Sequence, residues 1–304
     1  ARTATEATLV LNKNTATGQW NKEVSGDVIP IEKFSPDTDF MAKFEPVIKN
    51  IKTYVAKPIG QFTETISTRE SLFGDSPFVD LVQQIQLELT KADVAFAEPL
   101  SFNAEIKKGQ IYVRDMFKLY KFENLLYTLK MSGQEIKDYL EFSYGSWFNK
   151  MKNADDNLLK FNTAANGELI YTRGTPQLAT AYYNYSSAAG IKYTVDVSKP
   201  AGQRISIASM SDGKPFDLKK MYTVAMNSYR GNGGGGHLTQ GAKIPKDEIA
   251  GRIINSTTKD LRYYLMKWIE NEKTVNPKAL NNWSVVPADW WEKGKEKDSK
   301  LLFK

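Results

Sequence analysis

The sequence of 304 residues contains no cysteine and a single histidine. The first absence excludes disulfides, thiolate zinc sites and cysteine nucleophiles; it is compatible with a periplasmic protein without requiring one. The second argues against hydrolytic metal centres, because catalytic zinc usually draws on two or three histidines. A Ser-His-Asp site would have to use His237, yet there is no G-x-S-x-G and no strand-to-helix serine elbow. No run approaches the eighteen or more apolar residues that span a bilayer, so no transmembrane segment is expected. The opening "ARTATEATLV" lacks the charged start and apolar core of a signal peptide, which predicts a chain that is cytosolic or already processed. A basic stripe is missing too. The net charge is +6, but lysines are interspersed with acids, as in "EIKKGQ" and "EKGKEKDSK". Polymeric nucleic acid requires a concentrated basic footprint, so none is expected as a partner.

What is present is an ordinary soluble composition rich in Tyr and Phe, with length enough for one large or two smaller domains. "ATLVLNKNTATGQWNKEVSGDVIPI" reads as two or three strands with turns at Asn14 to Gly18 and around Gly26. A long helix follows, on which Phe44, Val47, Ile48, Ile51 and Val55 share one face; Pro58 and Gly60 stop it. "QFTETIST" is a short strand. In "GDSPFVDLVQQIQLELTKA" Ser76 is the N-cap and Pro77 the first helical residue, with Phe78, Leu81, Val82, Ile85 and Leu89 on one side. "DVAFA", "QIYVRD" and "NLLYTLKM" are strands, and Ser132 with Glu135 forms a capping box opening "SGQEIKDYLEFSY". Residues 150 to 189, polar and Tyr-rich, read as an insertion of loops. "GIKYTVDVS", "QRISIAS" and "MYTVAMNSY" are further strands, the glycine loop follows the last directly, and "TTKDLRYYLMKWIENE" is a closing helix with Leu261, Tyr264, Leu265, Trp268 and Ile269 inward. Strands and helices interleave without strict alternation, so the fold class is α+β or mixed α/β.

The most unusual stretch is "YRGNGGGGH", with five glycines in six positions before His237. It is not a P-loop, since no Lys-Ser or Lys-Thr follows. It matches G-x-G-x-x-G only degenerately, without a helix directly after it. A strand ending in Tyr229, followed by backbone without Cβ atoms, lets a flat ligand approach closely while an aromatic ring stacks on it. In "LYKFENLLY", Tyr120 and Phe122 sit in a polar turn, so at least one should project to solvent and complete a sandwich. The alternative is that both fill the core. A lone histidine beside such a loop is more often structural than catalytic, and the chain looks catalytically empty.

Three segments together carry a resemblance. "DVAFAEPLSFNAEIKKGQIYVRDMFKLYKFENLLYTLKMSGQEIKDYLEFS" and "MYTVAMNSYRGNGGGG", with "GDSPFVDLV" upstream, resemble the C-terminal domain of the 5′-nucleotidase family. The likeness is greatest to its bacterial 2′,3′-cyclic-nucleotide 2′-phosphodiesterase/3′-nucleotidase branch. It covers roughly residues 60 to 286. It implies that residues 1–58 are the end of a metallophosphatase domain plus a linker helix, and 59–304 the nucleoside-binding domain. The family's two base-stacking aromatics fall on Phe122 and Tyr229. Arg69, Ser101, Phe102, Asn103, Asn227, Asn232, Gly233 and Gly234 become candidates for contacts to base, ribose or phosphate, although the two later asparagines suit a turn equally well. "EPLSFNAEI" departs from the glycine-rich, Arg-containing stretch of 5′-type members, and the loop has Gly where many have Asp, which weighs against a 5′-monophosphate preference.

The resemblance further implies an adenosine-type nucleoside or nucleotide as ligand, a metallophosphatase half in cis or trans, and a periplasmic or exported location. No cofactor is expected in this chain, the two divalent metals belonging to the catalytic half. The helix near residues 38 to 57 would support a hinge between the halves. Two other readings stand beside this one: a non-catalytic binder of nucleosides or another small ligand, and a structural remnant in which Phe122 and Tyr229 are buried.

Overall fold

The computed structural model describes residues 2–303. The chain divides into two compact units, one up to Tyr54 and one from Val55 onward. The first holds an antiparallel hairpin, β1 (Thr3–Lys13) and β2 (Trp20–Pro30), and most of a helix, α1 (Thr38–Val55). The turn lies at Asn14 to Gly18 as expected, with the Asn14 side chain accepting from Ala16 N and Thr17 N. No turn forms at Gly26: it pairs with Ala7 inside β2, where a Cβ would stand 2.8 Å from Glu6 O. Glycine there serves a close backbone approach rather than a reversal. The apolar face of α1 is helical as predicted, but Phe44, Val47 and Ile51 are exposed.

The second unit is built on a five-stranded mixed sheet. Its strands are β3 (Val94–Ala97), β4 (Leu125–Ser132), β5 (Ser187–Ala189), β6 (Met221–Asn227) and β7 (Ile253–Asp260), in spatial order β5-β3-β6-β4-β7. β3 and β6 run parallel and β4 runs antiparallel to β6. Side chains alternate across the sheet with period two. Val94, Phe96, Val224 and Met226 face one core, which includes Ile136, Tyr139, Leu140 and Trp147 of helix α3 (Gly133–Trp147). The small residues Ala95, Ala97 and Ala225 face the other. That side is filled by Phe78, Leu81, Val82 and Ile85 of α2 (Pro77–Thr90) and by Leu261, Leu265 and Ile269 of α4 (Leu261–Glu272). A sheet covered on both faces explains why "DVAFA" reads as a continuous apolar run.

Local signals set the helix starts. The Ser132–Glu135 capping box forms, Ser132 Oγ accepting from Glu135 N and Glu135 from Ser132 N. Pro77 opens α2, although the Ser76 hydroxyl bonds Ser71 Oγ at 2.6 Å instead of capping the helix. Several expectations are corrected. Val113–Asp115, read as strand, is a 3-10 turn. Residues 150 to 189 are not merely surface loops: Met151, Leu158, Leu159 and Tyr185 join the core and Ser187–Ala189 is an edge strand. Their apolar residues lack any period, so only tertiary packing reveals them. In α4, Trp268 is half-buried and packs against the core shared with α2 as expected, while Tyr264 is half-buried and does not join it. That helix does not close the fold, since a strand at Trp283–Val286 and helix α5 (Ala288–Leu302) follow it.

One buried feature carries a pH signature. Asp75, half-buried, stands beside the buried Asp80, whose Oδ2 accepts from the Leu280 amide at 2.7 Å. Burial first, then the Asp75 charge, pushes the Asp80 carboxyl up to about 9, so the pair keeps a proton at neutral pH. With the folded pKa above the unfolded one, this group's contribution is fully present below about 4 and is lost as pH rises towards 9. Asp80→Asn preserves the shape of the protonated acid. It is expected to raise the unfolding midpoint at alkaline pH and to flatten its decline from acid pH, as thermal melts across that range would show. An unchanged pH profile would contradict the retained proton.

Candidate functional site

Because β3 and β6 are parallel, their C-terminal ends emerge at one edge of the sheet, and the antiparallel β4 begins there. The edges beyond the carboxyl ends of parallel strands are where open α/β sheets place ligands. The chain after β3 runs through Glu98 to Ser101, Phe102 and Asn103. The turn before β4 carries Phe122, and the helical turn Ser228–Gly231 after β6 carries Tyr229. This turn stands where the sequence suggested direct passage into the glycine loop; Asn227 starts it by accepting from Arg230 N at 2.9 Å. Leu125 N donates to Ser228 Oγ at 3.1 Å, tying the two aromatic turns together. Phe122 is 42% and Tyr229 47% exposed, while Tyr120 is buried. An exposed pair is at odds with the structural-remnant reading.

Beneath Tyr229 lies a buried polar network. Arg230 is 1% exposed; its Nη2 donates to Tyr183 O at 2.6 Å, and its Nη1 to Gly234 O at 3.1 Å and Asn184 Oδ1 at 3.2 Å. Its Nε stands 3.9 Å from Glu98 Oε1, which also accepts from Asn227 Nδ2. Burial raises the Glu98 carboxyl pKa, and the Arg230 charge opposes that rise. Asn227, a candidate for reading a base edge, is buried with its amide engaged by Glu98 and Arg230 N. Asn232 is exposed at the end of the helical turn.

The glycines answer to this network. Gly233, Gly235 and Gly236 have φ of 88°, 73° and 78°. A Cβ on Gly234 would lie 2.6 Å from Tyr229 O and 2.7 Å from its ring. On Gly235 it would lie 1.9 Å from Arg230 Nη1 and 2.9 Å from Asn184 Oδ1. The bare backbone thus lets the loop close on Tyr229 and Arg230. Gly235→Ala is expected to destabilise by about 2–4 kcal/mol, combining left-handed strain with overpacking against a fixed guanidinium. Gly213→Ala, at φ 87° but with nothing within 4 Å, serves as control and should cost only about 1–2 kcal/mol. Equal denaturant midpoints for the two variants would contradict the contact.

His237 is buried between Tyr139 and Phe142, with ring centroids 4.8 Å and 5.1 Å away. Burial, reinforced by the Arg230 charge, holds its pKa well below the usual histidine range, so the ring is neutral. Its Nδ1 meets Gly235 O at 3.2 Å, a structural role that supports the loop.

The other candidates gather around Arg69, which is exposed. Its Nε donates to Asn103 Oδ1 at 2.8 Å. Phe102, half-buried, packs on Tyr182 at 5.7 Å and on Phe303 at 5.1 Å. Ser101 is half-buried beside it. Asn103 also lines an open pocket of about 560 Å³ that carries Lys107, Lys108, Arg114 and Lys118 beside Glu105 and Asp115, the last 3.4 Å from Lys118 Nζ. Sequence reasoning missed Glu98, Arg230, Tyr182, Tyr183, Asn184 and Phe303; the only available signal was the aromatic density of "YYNY". Among the described residues, no group of three or more His, Cys, Asp or Glu is placed to hold a metal ion, and no helix is long and apolar enough to cross a membrane. Two divalent metals therefore find no fitting donor set here.

Comparison with known proteins bears on the family and the fold. The profile of the 5′-nucleotidase C-terminal domain matches residues 58–242. The trifunctional nucleotide phosphoesterase YfkN of Bacillus subtilis is 29% identical over 79% of this chain and 17% of its own length. A 2′,3′-cyclic-nucleotide 2′-phosphodiesterase/3′-nucleotidase of Haemophilus influenzae is 26% identical over 83% of this chain and 40% of its own. The chain thus spans less than half the length of these relatives. A Thermus thermophilus structure of a 5′-nucleotidase precursor superposes with a TM-score of 0.61 at 19% identity, covering 94% of this chain and 50% of that one, and supports the fold. The profile match extends over more than half of the chain and takes in four of the five strands of the sheet, both aromatic turns and the glycine loop: this protein belongs to the family of 5′-nucleotidase C-terminal domains.

Proposed function

We propose that this chain is the nucleoside-recognising part of a periplasmic or exported nucleotidase/2′,3′-cyclic phosphodiesterase, and that Phe122 and Tyr229 stack the base between them. The observation that carries this reading is the pair of half-exposed rings on joined turns at one edge of the sheet, one of them held from below by buried Arg230. Such exposed aromatic surface is costly to leave in water, and stacking a base on it would cover it. Arg69, Asn103 and the cations of the nearby pocket suit the anionic part of a nucleotide.

An adenosine-type ligand is the expected one. A metallophosphatase half, in cis or in trans, would contribute the hydrolytic chemistry; two divalent metals there would clamp the phosphate and activate water. This chain's own residues bind and orient. Calorimetric titration of the chain with adenosine and 3′-AMP tests the reading: saturable binding is expected for both, and a folded protein that binds neither would overturn it.

A further inference from the structure

Around Arg69 the structure shows more than a surface arginine. One edge of its guanidinium is fixed by the Nε bond to Asn103, and the Phe303 ring centroid lies 4.7 Å from the guanidinium carbon. Phe303 in turn packs on Phe102, and Phe102 on Tyr182. Edge and face are thus both occupied, while the two terminal amino groups have no protein acceptor among the described residues.

Helix α5 delivers Phe303 to this place. Trp291 Nε1 donates to Phe73 O at 2.7 Å, and Asp298 Oδ2 accepts from Leu159 N at 2.7 Å. Phe73 lies four residues after Arg69, so one helix holds both the segment bearing the arginine and the ring it rests on.

We infer that Phe303 is a positioning residue of the candidate site: it holds the Arg69 guanidinium in one orientation, so that its two free amino groups present a fork to an oxyanion such as a nucleotide phosphate. The identity of the ligand rests on the nucleotide reading above; the clamp itself does not. A planar guanidinium already stacked and bonded at Nε loses less freedom on forming a bidentate contact than a free one.

The test reads Arg69 directly, through its Nε–Hε resonance in the full chain titrated with inorganic phosphate, with 3′-AMP and with adenosine. Phosphate is expected to shift this signal saturably in the wild type. Phe303→Leu keeps the apolar packing on Phe102 but lacks the π face. It is expected to weaken phosphate and 3′-AMP about two- to fivefold, the effect of one exposed cation–π contact, and to leave adenosine unchanged. Phe303→Trp should restore wild-type affinity, and matching melting midpoints of the two variants show that the fold is retained. A signal that phosphate leaves unmoved in the wild type overturns the inference, as does wild-type phosphate affinity in Phe303→Leu. Adenosine that fails to bind while phosphate still depends on Phe303 would overturn the nucleoside reading and uphold the clamp.

Discussion

Arg230→Met is expected to lower the unfolding free energy by about 3–5 kcal/mol, because removing one partner of a buried pair strands the other. Arg230 is fully buried and its guanidinium joins Tyr183 and Asn184, Gly234 and Glu98, so three separate segments lose a common partner. Glu98, also buried, would then lose the cation it is paired with among the described residues. Its pKa is already raised by burial and is held down chiefly by Arg230, so the variant raises it further. With a folded pKa above the unfolded value, the carboxyl favours the folded state most below the unfolded pKa, and that advantage fades as pH rises. The deficit of Arg230→Met is therefore expected to be largest at alkaline pH and smaller at acid pH. Glu98→Gln added to Arg230→Met should recover much of the loss, since an amide needs no counter-charge. Denaturant unfolding of the two single variants and the double variant at both pH extremes measures this. A mild, pH-independent loss would mean that the network does not hold the Tyr229 turn.

How much of this was legible in the sequence depended on the range of the interaction. The α2 start at Pro77 and the Ser132–Glu135 box are local, and both appear where the sequence placed them. The polar turn carrying Tyr120 and Phe122 predicted that at least one of them projects, but not that Phe122 is the exposed one and Tyr120 the buried one. The glycine cluster signalled close approach, but the nearest partners, Tyr229 and Arg230, could not be told from a ligand without the fold. Asn227 read equally as a base contact or a turn former, and it forms the start of the Ser228–Gly231 turn. Glu98, Asn184 and Phe303 were invisible because their partners lie far away in sequence and no periodicity marks them. Residues 150 to 189 failed for a related reason: tertiary packing, not pattern, buries Met151, Leu158 and Tyr185.

The second large effect expected is on binding. Alanine substitution of a stacking ring weakens a base by about 1–3 kcal/mol. A base between Phe122 and Tyr229 has one ring on each face, so each single variant keeps half of the contact. The double variant Phe122→Ala, Tyr229→Ala should lose about 2–6 kcal/mol, a weakening of roughly thirtyfold or more. Both side chains are half-exposed, so their truncation leaves the two cores untouched and the melting midpoint close to that of the wild type. Arg230, by contrast, acts on stability first and on binding only through the turn it supports.

The most direct test of the central claim is calorimetric titration of adenosine into the double variant beside the wild type. Saturable binding to the wild type, lost in a double variant that still melts normally, is the predicted result. Equal affinity in the two proteins would contradict the account, because the two rings would then contribute nothing to holding the base.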